Sequence, residues 1–177
     1  MNKTSVLMSA AAIAICASSA SFAMGLDNMY VGPQIAMSSV SDNNTSDPNS
    51  TFRIYGAVIG SQINDMFSAD LNYLTEGNAY SIMVDGYFNR ALSSKVTSRF
   101  GLGLGLAHVN SQTRVGFDTV PTSNKLGYQA ILEMDYAVSD SLSLVTGYHY
   151  MTDNDAEDSA HANMFVIGAH YKLNATA

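Results

Sequence analysis

From residue 29 onward the chain runs in short stretches where large apolar side chains recur at every second position. A period of two is the signature of β-strands, whose successive side chains point to opposite faces. Eight such segments can be drawn, approximately at 29–38, 52–63, 66–74, 79–89, 96–109, 126–138, 141–151 and 162–173. Nowhere do apolar residues recur at helical spacing behind an N-cap. The connections alternate as well. Asn64-Asp65, Ser139-Asp140 and the stretch around Leu92-Ser93-Ser94-Lys95 are tight, whereas 39–51, 110–125 and 152–161 are longer and polar. A fourth connection on the long-loop side, Thr75-Glu76-Gly77-Asn78, is short. Tight turns on one rim and long loops on the other predict an eight-stranded antiparallel up-and-down transmembrane β-barrel. The turns and both termini then lie on the periplasmic side.

The two faces of each segment separate a membrane barrel from a soluble one. Leu126, Tyr128, Ala130, Leu132, Met134, Tyr136 and Val138 share one face of segment six, against Gly127, Gln129, Ile131, Glu133, Asp135 and Ala137. Segment five sets Phe100, Leu102, Leu104 and Leu106 against Arg99, Gly101, Gly103, Gly105 and Ala107. Segments three, four and eight repeat the contrast. A glycine row makes sense as the wall of a narrow lumen, where it leaves space for the few long side chains inside. The Leu and Phe rows then face lipid, with the closed ladder satisfying the backbone. Tyr30, Tyr73, Tyr80, Tyr136, Tyr150 and Tyr171, near segment ends, are expected in the interfacial girdles. Segment one carries Pro33, which removes a ladder donor. In segment two Arg53 suggests that Phe52, Ile54 and Val58 face lipid and that Tyr55 and Ile59 point inward.

Residues 1–23 stand apart from this pattern. Lys3 is followed by an apolar run over 6–17 and then Ser21-Phe22-Ala23, the features of a secretory signal cleaved after Ala23. The run is too short for a membrane-spanning helix. A lipoprotein reading through Cys16 would want a small residue where Ile15 stands. The expected division is therefore a signal peptide at 1–23 and a barrel domain at 24–177, which leaves 177 − 23 = 154 residues for the domain.

Composition narrows the function. Once Cys16 is removed the chain has no cysteine, which excludes thiol catalysis and disulfides. Seven basic against fifteen acidic residues remain without Lys3, a net −8, and so acidic a chain is a poor partner for nucleic acid.

Several stretches match a known pattern in order and spacing. They are Met29-Tyr30-Val31-Gly32-Pro33-Gln34, the run Phe100-Gly101-Leu102-Gly103-Leu104-Gly105-Leu106-Ala107, Gly127-Tyr128-Gln129-Ala130, and Gly147-Tyr148-His149-Tyr150. The last is followed by an acidic loop and Phe165-Val166-Ile167-Gly168-Ala169-His170-Tyr171-Lys172-Leu173. In these the chain resembles the OmpA/OmpX/Opa-like superfamily of small outer-membrane β-barrels, across essentially all of 24–177. The resemblance implies a monomer in contact with outer-membrane lipid and lipopolysaccharide, folded by the barrel-assembly machinery. That machinery usually reads a terminal aromatic residue. Here Tyr171 and Leu173 keep the alternation, but four further residues follow. The superfamily includes structural, adhesive, immune-evasive and enzymatic members, so it does not fix a function.

Candidate chemistry is confined to the inward positions Arg53, Asp70, Asp85, Arg99, Gln129, Glu133 and Asp135. Carboxylates in such a set can form an acid/base pair. The reading preferred here is a structural polar network that closes the lumen, because buried charge must be compensated. Asp85 and Arg99, on neighbouring hairpin strands, are the expected direct pair. His108, His149 and His161 are placed near the long-loop rim and His170 near the opposite rim, with no metal spacing among them. A lipid A deacylase of this barrel class would need a serine two residues after the histidine, but the run reads His149-Tyr150-Met151. The acidic stretch 153–158 lacks the Gly and Glu of an EF-hand loop. No metal, cofactor or catalytic residue is expected. Function is assigned to the extracellular loops, as a structural or surface-interaction role with a possible extracellular ligand. A minor pore, a lipid hydrolase and a soluble lipocalin-like carrier are the alternatives.

Overall fold

The computed structural model describes residues 28–42, 50–76, 79–109, 123–153 and 160–173. They form eight strands: β1 (Met29–Asp42), β2 (Ser50–Gln62), β3 (Phe67–Glu76), β4 (Ala79–Ala91), β5 (Val96–Val109), β6 (Ser123–Ala137), β7 (Leu142–Asp153) and β8 (Ala160–Lys172). Each pairs antiparallel with the next, and β8 returns to β1, so the sheet is a closed barrel. The expected signal peptide at 1–23 lies outside the described residues.

The tight turns are closed by the side chains that made them legible. Asn64 Oδ1 accepts the backbone N–H of Met66 and of Phe67, each at 2.9 Å. Ser93 Oγ accepts from Val96 at 3.1 Å, and Ser139 Oγ accepts from Leu142 at 3.1 Å. Short Asn and Ser side chains are suited to this because they cap backbone donors two or three residues on. At their other ends several strands run beyond the predicted segments. β1 reaches Asp42 and β6 starts at Ser123, because paired neighbours continue the ladder past the apolar stretch.

Followed along paired residues, Tyr30 leads to Gly60, Asp70, Asp85, Gly103, Gln129, Met151 and Ala162. The path rejoins β1 at Val40, so the register is staggered by 40 − 30 = 10 residues. That stagger inclines the strands to the barrel axis by roughly 35–45°. Side chains at one height therefore come from different positions along neighbouring strands.

The outer wall is apolar almost throughout. Leu102 is 74% exposed, and Ile35, Ile59, Phe88, Phe100, Leu132, Leu144, Phe165 and Ile167 stand out with it. A water-soluble protein does not present a continuous band of this kind, whereas a bilayer requires one. The face assignment of segment two is reversed, however. Tyr55 and Ile59 are exposed, Val58 is buried, and Arg53 lies on the outer wall instead of in the lumen. Gly56 and Gly60 were the better guide to the inner face. Arg53 sits near the extracellular end of β2, where a long cation reaches water from an outward position.

Candidate functional site

The lumen carries its charged network in the periplasmic half and is mainly apolar towards the extracellular rim. Two hydrogen-bonded layers make up the polar half. The lower is centred on Arg99, whose Nη2 lies 2.8 Å from Asp70 Oδ2 and donates to the Tyr30 hydroxyl at 2.9 Å. Its Nη1 lies 3.1 Å from Glu133 Oε2. The Tyr30 hydroxyl in turn donates to Asp70, and His149 Nε2 lies 2.9 Å from Glu133 Oε1. The guanidinium carbon rests 3.9 Å from the ring centroid of Tyr87. These residues come from β1, β3, β4, β5, β6 and β7, so the layer ties six of the eight strands together.

The upper layer holds a single carboxylate, that of Asp85, between two amides. Asn72 Nδ2 and Gln129 Nε2 both donate to it, and Gln34 Nε2 donates to Asn72 Oδ1 at 2.8 Å. Asp85 is fully buried. A charge in that position is tolerable only with such donors around it.

Glycines make room for both layers. A Cβ on Gly103 would strike the Asp85 carboxylate and approach Gln129 Cγ to 2.8 Å. One on Gly147 would approach Glu133 Cα to 3.2 Å, and one on Gly101 would meet the Tyr87 ring at 2.8 Å. The inward glycine row seen in the sequence is the negative imprint of these side chains.

Below Arg99 the barrel opens into a vestibule of about 490 Å³ at the periplasmic rim, lined among others by Lys95, Asp135, Ser143, His170 and Lys172. His170 Nδ1 lies 3.5 Å from Asp135 Oδ2, and its ring stacks on Tyr30 with centroids 4.5 Å apart. Above the Asp85 layer apolar inward side chains predominate, with Ser38 and Ser81 buried among them. Ala36, Leu74, Met164 and Val166 form a buried cluster flanked by Ile54, Met151 and Ala162. Met83 is fully buried next to Asp85 on β4.

Of the residues predicted from sequence, Asp70, Asp85, Arg99, Gln129 and Glu133 are buried in the lumen, and Asp135 is half-buried at its lower end. Three expectations are corrected. Asp85 and Arg99 are not a pair: Asp85 is opposite Gly103 and Arg99 opposite Asn89, four positions along the strand, or ~13 Å. Tyr30 is no girdle residue; it is 8% exposed, with its hydroxyl inside the lower layer. His149 lies within the lumen and not near the rim. Tyr73, Tyr80, Tyr136, Tyr150 and Tyr171 do stand on the outer wall. Missed altogether as site residues were Gln34, Asn72 and Tyr87; their buried parity was the available signal. Among the described residues no group of three or more His, Cys, Asp or Glu is arranged to hold a metal ion.

No protein-family model matches the chain. It is similar to the outer membrane protein PagN of Salmonella typhimurium strain LT2, at 28% identity over 57% of this chain and 52% of PagN. The chain thus spans about half the length of that curated relative. Among solved structures, neisserial surface protein A superposes with a TM-score of 0.63 at 20% identity, covering 81% of this chain and 96% of the other. Ail, the attachment invasion locus protein of Yersinia pestis, solved with the heparin analogue sucrose octasulfate, gives 0.53 at 14% identity, covering 81% and 97%. With the closed ladder and the lipid-facing wall, these likenesses identify the chain as a small eight-stranded β-barrel protein of the bacterial outer membrane.

Proposed function

We propose that this chain is a surface-interaction barrel whose lumen is closed by its polar network and whose activity resides in the extracellular loops. The observation that carries the reading is Arg99, 4% exposed and shared between Asp70 and Glu133 across the middle of the lumen. A barrel of eight strands has little interior beyond its own side chains. In this reading Arg99, Asp70, Asp85, Gln129, Glu133 and Asp135 are structural, not catalytic, and Arg53 belongs to the lipid-facing wall. His149 is followed by Tyr150 and Met151, so no serine stands two residues on to serve as nucleophile, which favours a non-enzymatic role.

The loop charges suggest the kind of partner. The segments 43–49, 77–78, 110–122 and 154–159 carry Asp47, Asp118, Asp155, Glu157 and Asp158 against Arg114 alone. A basic surface, or an anionic one bridged by divalent cations, is electrostatically matched; a polyanion such as the sulfated ligand bound by Ail is not. The remaining parts of the reading are a signal removed at Ala23, a barrel at 24–177, and insertion as a monomer by the barrel-assembly machinery. Tyr73, Tyr80, Tyr136, Tyr150 and Tyr171 then contact lipid and lipopolysaccharide.

The test is attachment of cells displaying the protein to immobilised basic and acidic proteins, before and after segments 110–122 and 154–159 are replaced by short turns. Loss of attachment to the basic surface, with the folded barrel still heat-modifiable on a gel, is the expected result. Undiminished attachment sinks the loop assignment. A minor pore is the second reading, favoured by the vestibule beneath Arg99. It requires ion conductance in planar bilayers that changes with Arg99→Ala.

A further inference from the structure

The polar network does not fill the lumen. Above Asp85 lies a cavity of about 180 Å³, whose walls include Ile54, Leu74, Ala107, Met151, Ala162 and Met164. Barrel interiors of this class are ordinarily polar, so apolar side chains turned both inward and outward at the same height are a departure. The glycines mark the difference. Those beside the network are occupied by lumenal side chains, whereas a Cβ on Gly127 would meet nothing nearer than 3.8 Å, with Met151 Sδ and Met83 Cε at 3.9 Å.

We propose that this chamber is a binding site for a small water-borne hydrocarbon, of the size of one aromatic ring or a chain of six to eight carbons. The volume fits that class, since an apolar protein cavity of about 150 Å³ takes up benzene. Thioether side chains of Met151 and Met164 supply an adaptable, polarisable lining, and methionine adapts its shape to unlike ligands. The polar groups of the lining, Ser38, Thr75 and Ser81 with Glu76, Tyr80 and His108 towards the rim, expose far less surface than the apolar ones, as in other small-molecule sites. The bilayer is excluded as the source. The ladder closes the wall on every side and the network around Asp85 and Arg99 forms the floor, so a ligand enters from the extracellular side.

The test uses the full barrel in dimyristoylphosphatidylcholine nanodiscs with 13C-labelled methionine methyls, titrated with toluene. Met151 and Met164 are expected to shift along a saturating curve. Met37, Met66 and Met134, on the outer surface, should shift in proportion to the toluene dissolved in the lipid. Linear shifts at all positions, or no shift at the two lumenal methionines, overturn the proposal. Ala107→Leu fills the chamber and should weaken the saturable response at least tenfold while the protein keeps its heat-modifiable mobility. A folded Ala107→Leu barrel with wild-type saturation also overturns it. Should that variant fail to fold, the wild-type titration alone decides.

Discussion

The two halves of the lumen solve the same problem with opposite chemistry. Near the periplasm, one guanidinium, several carboxylates and a ring of hydroxyl and amide donors join strands that are distant in sequence. Towards the extracellular rim, Ala36, Leu74, Met164 and Val166 close on one another by contact alone. The two halves should therefore fail differently. A hydrogen-bonded network is all-or-none, because losing one member strands a charge, whereas an apolar cluster loses stability in proportion to the atoms removed.

The largest effect should come from Asp70→Ala. It leaves the Tyr30 hydroxyl without its acceptor and Arg99 with Glu133 as its one remaining carboxylate partner, and should cost about 3–5 kcal/mol. Urea unfolding in lipid vesicles, followed by tyrosine fluorescence, reads this directly. Replacing Asp70, Arg99 and Glu133 together by apolar residues of similar volume should recover most of the loss. A cost under about 1 kcal/mol for the single change would contradict the all-or-none account.

Met164→Ala probes the other half. It should cost about 2 kcal/mol, the low end for a buried methionine, since an existing cavity already borders the side chain. The same unfolding measurement should also show that this loss adds to that of Asp70→Ala, as independent regions require.

Gly103→Ala should cost about 1–2 kcal/mol, because its Cβ falls on Asp85 and Gln129. Gly86→Ala is the control. Nothing lies within 4 Å of a Cβ there, and its unfolding midpoint should not fall. Smallest is Ser139→Ala, which removes one turn hydrogen bond to Leu142 and should cost about 0.5–1 kcal/mol. If Ser139→Ala cost as much as Gly103→Ala, the turns and not the lumenal fit would govern stability at the periplasmic end.

Much of the fold was legible because a pleated strand writes its two environments into alternate letters. In β5 the sequence Arg99 to Ala107 alone separates lumen from lipid, and β6 repeats it with Gln129 and Glu133 inside. β2 misled because one charge, Arg53, was weighed above two glycines. The Asp85–Arg99 pairing failed for a countable reason: the turn at 92–95 sets Asp85 opposite Gly103.

The sequence is enough to read the eight strands, the turn rim, the lipid face of β3 to β6 and of β8, and the concentration of charge inside the barrel. It suffices because each of these depends on a residue and its near neighbours. That Arg99 joins Asp70 to Glu133, that Tyr30 and His149 turn inward, and that a largely apolar chamber lies above Asp85 emerge only in the closed barrel. Those facts depend on a ten-residue stagger that arises when β8 closes on β1, and no local stretch of chain carries it.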